Sequence, residues 1–178
     1  MKANDFLAQD KFKDADLIHV NWKLYGDNDL VYYEPRPVIE RFTKPAPIDI
    51  IYSTKVIGKD HYYNQHVKSI VRVNDKTFKF NTPHTVVYNT ECKCVNVNGE
   101  IENSKCPIQN ICYNGGHLKH FITKSTEEFI ERKLHNNSLA SSDSINSIFE
   151  DEVIAYFNIN AKTYSKCKLI EEKTNKKV

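Results

Sequence analysis

The sequence predicts a mixed α/β or α+β domain. Segments with the alternating apolar pattern of strands are interspersed with segments that have the spacing of helices. The longer helical segments lie toward the C-terminal end, an order that disfavours both a β-sandwich and a helical bundle. The chain has 178 residues, of which 40% are hydrophobic and 27% are charged. That length and composition suit one domain with a buried core.

Three apolar runs have the clearest strand pattern, and we expect them to lie in one sheet. They are residues 17–22, 67–73 and 118–122. Shorter extended segments are expected at 77–80, 85–88 and 92–97. The last of these runs into Asn98-Gly99, a pair that favours a tight hairpin turn because both residues accept a positive φ.

Four segments have the pattern of helices. A short helix is expected at 4–13, capped by Asn4, and another at 38–43, with Pro37 near its first turn. Ser125 or Thr126 can cap a helix at 127–135, and apolar residues at helical spacing predict a longer amphipathic helix at 143–158. The predicted organisation is therefore a main domain at 1–142, a C-terminal helix packed on it at 143–160, and a basic flexible tail at 161–178.

The first strand ends in the turn Gly26-Asp27-Asn28-Asp29, and the rest of the chain is interpreted around this turn. A strand that ends in a turn with carboxylates is a common way to build a site. An ordinary polar turn is the alternative that the pattern leaves open.

Three blocks of sequence together resemble a family of bacterial glycosyltransferases of surface-polysaccharide synthesis. The blocks are WKLYGDN at 22–28, RPVIERF at 36–42, and HFITKS at 120–125 followed by EEF at 127–129. They are similar to the patterns W-x-x-Y/F-G-D-N, R-P-x-x-E-R-F and H-Y/F-x-T-K-S-x-E-E-F of family 2-like enzymes, which are akin to the family 92 domain. The resemblance covers most of residues 4–133.

The resemblance implies a GT-A type fold, in which a Rossmann-like half binds a nucleotide sugar and a second half holds a glycan or lipid-linked glycan acceptor. It also implies a Mn²⁺ or Mg²⁺ ion, held on the donor diphosphate by a D-x-D motif. In the family that motif comes just before the segment matching 4–13, and this chain has none upstream of Leu17. We therefore expect the chain to be the C-terminal, acceptor-side part of a longer enzyme.

The candidate site residues fall into three groups under this resemblance. Asp27 is the candidate general base for the acceptor hydroxyl, and Glu40 is the second candidate, unless Glu40 forms an ion pair with Arg36 or Arg41. His120 and His84 are the candidate metal ligands, although either histidine can be a hydrogen-bonded structural residue instead. The candidate substrate-binding residues are Trp22, Tyr25, Asn28, Arg36, Arg41, Lys124 and Ser125. Trp22 and Tyr25 can stack on a sugar or fill the core.

These assignments carry a geometric expectation and two alternatives. Asp27 and His120 are expected to approach one cleft, with Trp22 near its wall. One alternative is a non-catalytic domain that binds a glycan or a partner chain. The other is a small zinc-stabilised interaction module, because Cys92, Cys94, Cys106 and Cys112 cluster, although with spacings other than C-x2-C.

The remaining expectations concern charge and location. The net charge of +2 gives no reason to expect a nucleic-acid partner. The N-terminus has no signal-like apolar run, and no stretch approaches the roughly 20 apolar residues of a membrane span. A cytoplasmic location is expected, or one at the cytosolic face of a membrane. The odd number of cysteines, five, favours free thiols in a reducing compartment.

Overall fold

The computed structural model describes most of the chain. The described residues are 2–50, 62–73, 78–82, 85–87, 92–103, 108, 110–135 and 142–178. The helices are α1 (Ala3–Leu7), α2 (Val38–Arg41), α3 (Thr126–Phe129), α4 (Ser142–Ile159) and α5 (Tyr164–Thr174). The strands are β1 (Leu17–Leu24), β2 (Val67–Val71), β3 (Lys79–Thr82), β4 (Thr85–Val87), β5 (Cys94–Asn96) and β6 (Leu118–His120). Helix α3 continues into a π-helical segment, Ile130–His135.

A four-stranded sheet is organised around β1. Strand β2 pairs with β1 in antiparallel fashion, with Leu17 opposite Val71, and β5 pairs with it in parallel, with Leu17 opposite Cys94. Strand β6 also pairs with β1, while β3 and β4 form a separate two-stranded sheet. The prediction that the three strongest apolar runs lie in one sheet is confirmed. The mixed pairing and the interspersed helices are those of a mixed α/β class.

The chain divides into two compact units, and each is formed by two separate stretches of sequence. Unit 1 consists of Met1–Lys23 and Ser53–Lys119, and unit 2 consists of Leu24–Tyr52 and His120–Val178. The predicted boundaries at 142 and 160 do not coincide with this division. The reason is that the C-terminal helices belong to the same unit as the turn that follows β1.

Unit 1 is built on the two faces of β1. The alternation of a strand places Ile18 and Val20 on one face, where they pack in a cluster with Phe12, Val95 and other buried residues. Leu17 lies in a second cluster with Val86 and Cys94. Both faces of β1 are buried, so the polar side chains of His19 and Asn21, which alternate with its apolar residues, are enclosed as well.

Unit 2 is built from helices, and its core contains the segment that the sequence predicts to be a flexible tail. The buried core residues are Phe129, Ile130, Phe149, Val153, Tyr156, Leu169 and Ile170. The prediction of a flexible tail at 161–178 differs from the structure, in which α5 packs into this core. Lys166, Leu169 and Ile170 are buried together because their spacing of three and four places them on one face of α5.

Several predicted helix bounds also differ from the structure. The helix expected at 4–13 is shorter: α1 ends at Leu7, and a separate 3₁₀ turn follows at Asp10–Phe12. Lys2 rather than Asn4 occupies the N-cap position of α1, and Pro37 occupies the N-cap position of α2. No helix in the described part of the chain is long and apolar enough to cross a membrane.

Candidate functional site

The turn that follows β1 is held in a defined conformation by its own short polar residues. Asn28 and Asp29 have φ values of 51° and 64°, in the left-handed region that these two residue types tolerate better than most. The amide of Asp29 donates to Oδ1 of Asp27 over 2.9 Å, and the amide of Leu30 donates to the carbonyl of Asp27, also over 2.9 Å. The sequence places Asp27 where its own side chain closes the turn.

The second oxygen of the Asp27 carboxylate receives charged and neutral donors from the C-terminal helices. Lys166 on α5 places Nζ 2.7 Å from Oδ2, and the hydroxyl of Tyr156 on α4 donates to the same oxygen over 2.6 Å. The backbone amide of Asp27 donates to Oδ1 of Asn160 over 2.6 Å. Asp27 and Lys166 are buried, with 3% and 1% of their surfaces exposed. The carboxylate is therefore enclosed and fully hydrogen-bonded.

Tyr156 connects this carboxylate to the start of α3. Its burial, and then the negative charge of Asp27, raise the pKa of the phenol well above its usual range, so the hydroxyl remains protonated. It lies 2.9 Å from Oγ1 of Thr126, the first residue of α3. Its ring stacks on Phe129, with the ring centroids 4.4 Å apart. Tyr156 is thus a protonated donor fixed on both its polar and its apolar sides.

The residues Asp27-Asn28-Asp29 spell a D-x-D sequence, but an ammonium group lies between the two carboxylates. Nζ of Lys166 is 2.7 Å from Oδ2 of Asp27, 3.4 Å from Oδ1 of Asp29 and 3.1 Å from the carbonyl of Ala161. A lysine ammonium supplies the positive charge that these oxygens would otherwise draw from a bound cation. This arrangement fits a structural ion pair rather than a metal site.

The predicted metal ligands do not assemble with other ligands in the described residues. No group of three or more His, Cys, Asp or Glu side chains that could hold a metal ion occurs there. His120 ends β6, where its carbonyl accepts from the amide of Tyr25 over 3.1 Å, and His84 lies outside the described residues. A metal on a donor diphosphate needs only one or two protein carboxylates, so the expected Mn²⁺ or Mg²⁺ ion stays a prediction.

Arg41 forms the second charged pair of unit 2. Its guanidinium donates to both carboxylate oxygens of Glu128, over 2.6 and 3.1 Å, and its Nε donates to the carbonyl of Arg36 over 2.9 Å. Burial would raise the pKa of Glu128, but the hydrogen bonds from Arg41 and Ser125 outweigh it and lower that pKa. The carboxylate of Glu128 is therefore held in its charged form by a planar two-point contact.

The other charged residues near Arg41 are exposed. Arg36 pairs with Glu34 at the surface. Glu40 is exposed, and the described residues contain no ion pair between it and either Arg36 or Arg41. Glu40 thus makes no close ion pair with a described residue, although its charge, after the larger effect of the hydrogen bond to Glu34, also raises the pKa of Arg36.

The side chains of Ser125 and Lys124 both contact Glu128 in the first turn of α3. The Ser125 hydroxyl accepts from the amide of Glu128 over 3.3 Å, and the amide of Ser125 donates to the Glu128 carboxylate over 3.3 Å, which makes a capping box. The hydroxyl also donates to that carboxylate over 2.9 Å. Lys124 has a φ of 58° and pairs with Glu128, with 3.7 Å between nitrogen and oxygen. Of the two predicted caps, Ser125 and Thr126, the structure has Ser125 at the N-cap position.

Trp22 and Tyr25 are buried, each with 6% of its surface exposed. Trp22 stacks on His66 in unit 1, with the ring centroids 5.0 Å apart. The ring centroids of Tyr25 and Phe121 in unit 2 lie 5.4 Å apart. This burial agrees with the alternative that both rings fill the core. The expected approach of Asp27 and His120 to one cleft stays a prediction.

The three sequence blocks of the resemblance are in direct contact within unit 2. The side-chain amide of Asn28 in the first block donates to the carbonyl of Arg41 in the second, over 2.9 Å. Arg41 binds Glu128 in the third block. Tyr25 in the first block donates its amide to His120 in the third. Side chains of Asn28, Arg41 and Glu128 therefore link the three blocks, whereas the contact of Tyr25 with His120 is between main-chain atoms.

An open pocket of about 220 Å³ lies beside the turn. It is lined by residues 26–29, 44–47 and 159–161. The exposed carboxylate of Asp29 lies 3.9 Å from Nζ of Lys44, so the rim carries both signs of charge. A carboxylate and an ammonium group at the rim of a small cavity suit a polar ligand.

The cysteines give no support to a metal centre in the described residues. Cys92, Cys94, Cys112 and Cys167 carry no disulfide, and Cys106 lies outside the described residues. Sγ of Cys94 lies 3.6 Å from Nδ1 of His19 on the neighbouring strand. Burial lowers the pKa of His19, partly opposed by the charge of Glu102, and so favours a neutral imidazole.

The sequence reasoning missed Lys166, Tyr156 and Asn160, which hold Asp27. Tyr156 lies at the apolar spacing of the helix predicted at 143–158, and its hydroxyl has no sequence pattern of its own. Lys166 had a usable signal, since it falls on the same helical face as Leu169 and Ile170. A lysine on an apolar stripe indicates a buried partner of opposite charge.

No protein-family model, curated protein or solved structure matches this chain.

Proposed function

We propose that this chain is a glycosyltransferase or the acceptor-side part of one, which transfers a sugar from a nucleotide-sugar donor to a glycan in bacterial surface-polysaccharide synthesis. One observation carries the proposal. The three blocks that resemble such enzymes are tied together in unit 2 through Asn28, Arg41, Glu128, Tyr25 and His120. Three patterns that match by chance would have no reason to bind one another, so their contact supports the resemblance.

The geometry favours Glu40 over Asp27 as the general base. A base must come within hydrogen-bonding reach of the hydroxyl that attacks the donor sugar. The carboxylate of Asp27 is buried and already accepts from Lys166, Tyr156 and Asp29. The carboxylate of Glu40 is exposed. In this proposal Asp27 positions the turn, and Glu40 takes the proton.

Donor binding is expected to need residues beyond those described. The carboxylates of Asp27 and Asp29 already pair with Lys166, so in this proposal the ligands of a metal on the donor diphosphate come from residues beyond those described. The pocket beside the turn, with Asp29 and Lys44 at its rim, supplies polar groups for hydroxyl recognition. Because the ligands of the donor's metal lie outside the described residues in this proposal, we expect the chain alone to bind a nucleotide sugar weakly.

The test is an assay of donor hydrolysis and sugar transfer on two proteins. One is the 178-residue chain, and the other is the same chain preceded by a D-x-D-E-F-L segment, each with a panel of nucleotide sugars, Mn²⁺ and an EDTA control. We expect little transfer by the chain alone and metal-dependent transfer by the extended protein. If neither protein hydrolyses any of the donors or transfers a sugar from one, the proposal that the chain is a glycosyltransferase is rejected.

A non-catalytic domain that binds a glycan is the second candidate function. It is favoured by the Asp27–Lys166 pair, in which the charge of the conspicuous carboxylate is already neutralised. Calorimetric titration with oligosaccharides separates the two functions. Glycan binding by both proteins without turnover in either would support the binding domain and reject the transferase.

A further inference from the structure

Tyr33 combines an exposed ring with a fixed position. Its surface is 57% exposed, yet the guanidinium carbon of Arg41 lies 5.2 Å from the ring centroid. Arg41 itself is buried. One face of the ring therefore rests on a buried cation, and the ring keeps more than half of its surface open to solvent.

The support beneath the ring is held by several hydrogen bonds. Arg41 is held by both oxygens of Glu128 and by the carbonyl of Arg36. The backbone amide of Tyr33 donates to the carboxylate of Glu127 over 2.8 Å. An exposed ring that is already fixed in position loses little conformational entropy when a ligand binds to it.

Other exposed tyrosines of unit 2 lack such a support. Tyr32 is 63% exposed and Tyr164 is 80% exposed, and neither ring has an aromatic or cation contact among the described residues. Solvent exposure of an aromatic ring is therefore not what distinguishes Tyr33. The distinguishing feature is an open face backed by a buried arginine.

The surroundings indicate the class of ligand. Glu34 and Arg36 follow Tyr33 closely in sequence and form an exposed, planar ion pair that offers hydrogen-bond acceptors and donors. A cationic ligand is disfavoured because the guanidinium of Arg41 already lies against the ring. A neutral ring with an apolar C–H face and hydroxyl groups at its edge satisfies both the tyrosine and its polar neighbours.

We propose that Tyr33 is a stacking platform for one pyranose ring of a glycan, with Glu34 and Arg36 binding its hydroxyls. The inference rests on the proposed function, because it names the contact of the acceptor glycan. It assigns the sugar contact to a ring outside the sequence-predicted pair, Trp22 and Tyr25, both of which are buried.

The experiment measures the affinity of the 178-residue chain for tetrasaccharides of glucose, galactose, N-acetylglucosamine and rhamnose by calorimetry and by NMR of labelled tyrosine rings. We expect at least one to bind, and we expect Tyr33→Ala to weaken it about five- to tenfold, the scale of one aromatic stacking contact. Tyr33→Phe should retain affinity within about twofold to threefold, since the ring remains. Tyr164→Ala is the matched control and should bind like the parent protein.

Two results would overturn the platform: none of the four tetrasaccharides binds, or Tyr33→Ala binds as tightly as the parent. A third contrary result is a loss of uridine diphosphate affinity in Tyr33→Ala with unchanged tetrasaccharide affinity, which would assign the ring to the donor. The transfer assay is independent of these outcomes. Tyr33-dependent binding upholds the platform even if neither the chain nor its extended form hydrolyses a donor or transfers a sugar, which is the result that rejects the enzyme. Transfer with an acceptor KM unaffected by Tyr33→Ala upholds the enzyme and rejects the platform.

Discussion

The ammonium of Lys166 lies 2.7 Å from the carboxylate of Asp27, and this buried pair ties the last helix to the turn that follows β1. Each charge loses its hydration on burial, and the cost is offset by their mutual attraction and by the hydrogen bonds from Tyr156 and to Ala161. Removing one partner would leave the other charge buried and uncompensated. Helix α5 is therefore part of the folded unit and fixes the turn from outside it.

Lys166→Met should lower the free energy of unfolding by about 3 to 5 kcal/mol, because the carboxylate of Asp27 would remain buried without its cation. Urea unfolding followed by circular dichroism measures the change. The double variant Lys166→Met with Asp27→Asn should recover part of the loss, since no buried charge remains. Lys168→Met is the control, since Lys168 is exposed on the same helix, and it should change stability by less than about 0.5 kcal/mol. A loss below about 1 kcal/mol in Lys166→Met would contradict this account.

Glu40→Gln and Asp27→Asn should separate catalysis from positioning in whichever protein shows transfer. Glu40→Gln should reduce kcat by roughly 10²-fold or more without changing stability, because it removes an exposed base. Asp27→Asn should lower the unfolding midpoint, since the buried cation of Lys166 loses its partner. Kinetics and thermal unfolding of both variants check this, with Glu150→Gln as an exposed control. If Glu40→Gln retains full turnover and a folded Asp27→Asn loses it, Asp27 rather than Glu40 is the general base.

Ser125→Ala should destabilise unit 2 by about 0.5 to 2 kcal/mol, because the amide of Glu128 loses its capping acceptor at the start of α3. Thr163→Ala is a matched control, because Thr163 occupies the N-cap position of α5 and its side chain makes no capping hydrogen bond. Denaturant unfolding compares the two variants. Equal losses in both would show that the Ser125 hydroxyl contributes nothing specific.

His19 should make stability fall as the pH drops below about 6.5. Its pKa is lowered in the folded protein, chiefly by burial, so below pH 6.5 the unfolded chain binds more protons than the folded one. Stability is then lost until the pH passes the folded pKa, at no more than about 1.4 kcal/mol per pH unit for this group. Urea unfolding of the parent and of His19→Gln at pH 7.5, 6.5 and 5.5 measures the slopes. The variant should have the flatter slope, and identical slopes would rule His19 out.

His117 qualifies that measurement, because it lies in the same unit and also has a lowered pKa, caused first by burial and then by Lys23 and Lys119. His19→Gln should therefore remove part of the pH dependence, not all of it. The double variant with His117→Gln should be flatter than either single variant.

The sequence predicts local features of this fold better than pairings between distant segments. The strand at β1 and the helix cap at Ser125 or Thr126 both depend on neighbours within a few residues, and the structure has the strand and a cap at Ser125. The predicted tail fails because its lysines were interpreted by composition. The burial of Lys166 depends on Asp27, a residue far away in the sequence.

The candidate site was predictable in outline but not in the roles of its residues. The sequence indicated Asp27 as a candidate base and Arg41 as a candidate substrate-binding residue, and the structure places them in two separate ion pairs, with Lys166 and with Glu128. It could not assign their partners, because a carboxylate at a turn has the same local pattern whether it faces solvent or a buried lysine. Trp22 and Tyr25 pose the same problem, since aromatic residues beside a strand suit a sugar platform and a core equally well.

During synthesis, Asp27 is translated long before the residues that bind it. Asn160, which accepts the amide of Asp27, lies 133 positions further along the chain. At about 5 to 20 residues per second, a ribosome needs roughly 7 to 27 s to make the intervening polypeptide. Throughout that interval the carboxylate can remain hydrated, and the turn has only its local hydrogen bonds. The order of translation thus makes the completion of unit 2 a late event, and a nascent chain exposes this acidic turn to chaperones and proteases before its buried lysine exists.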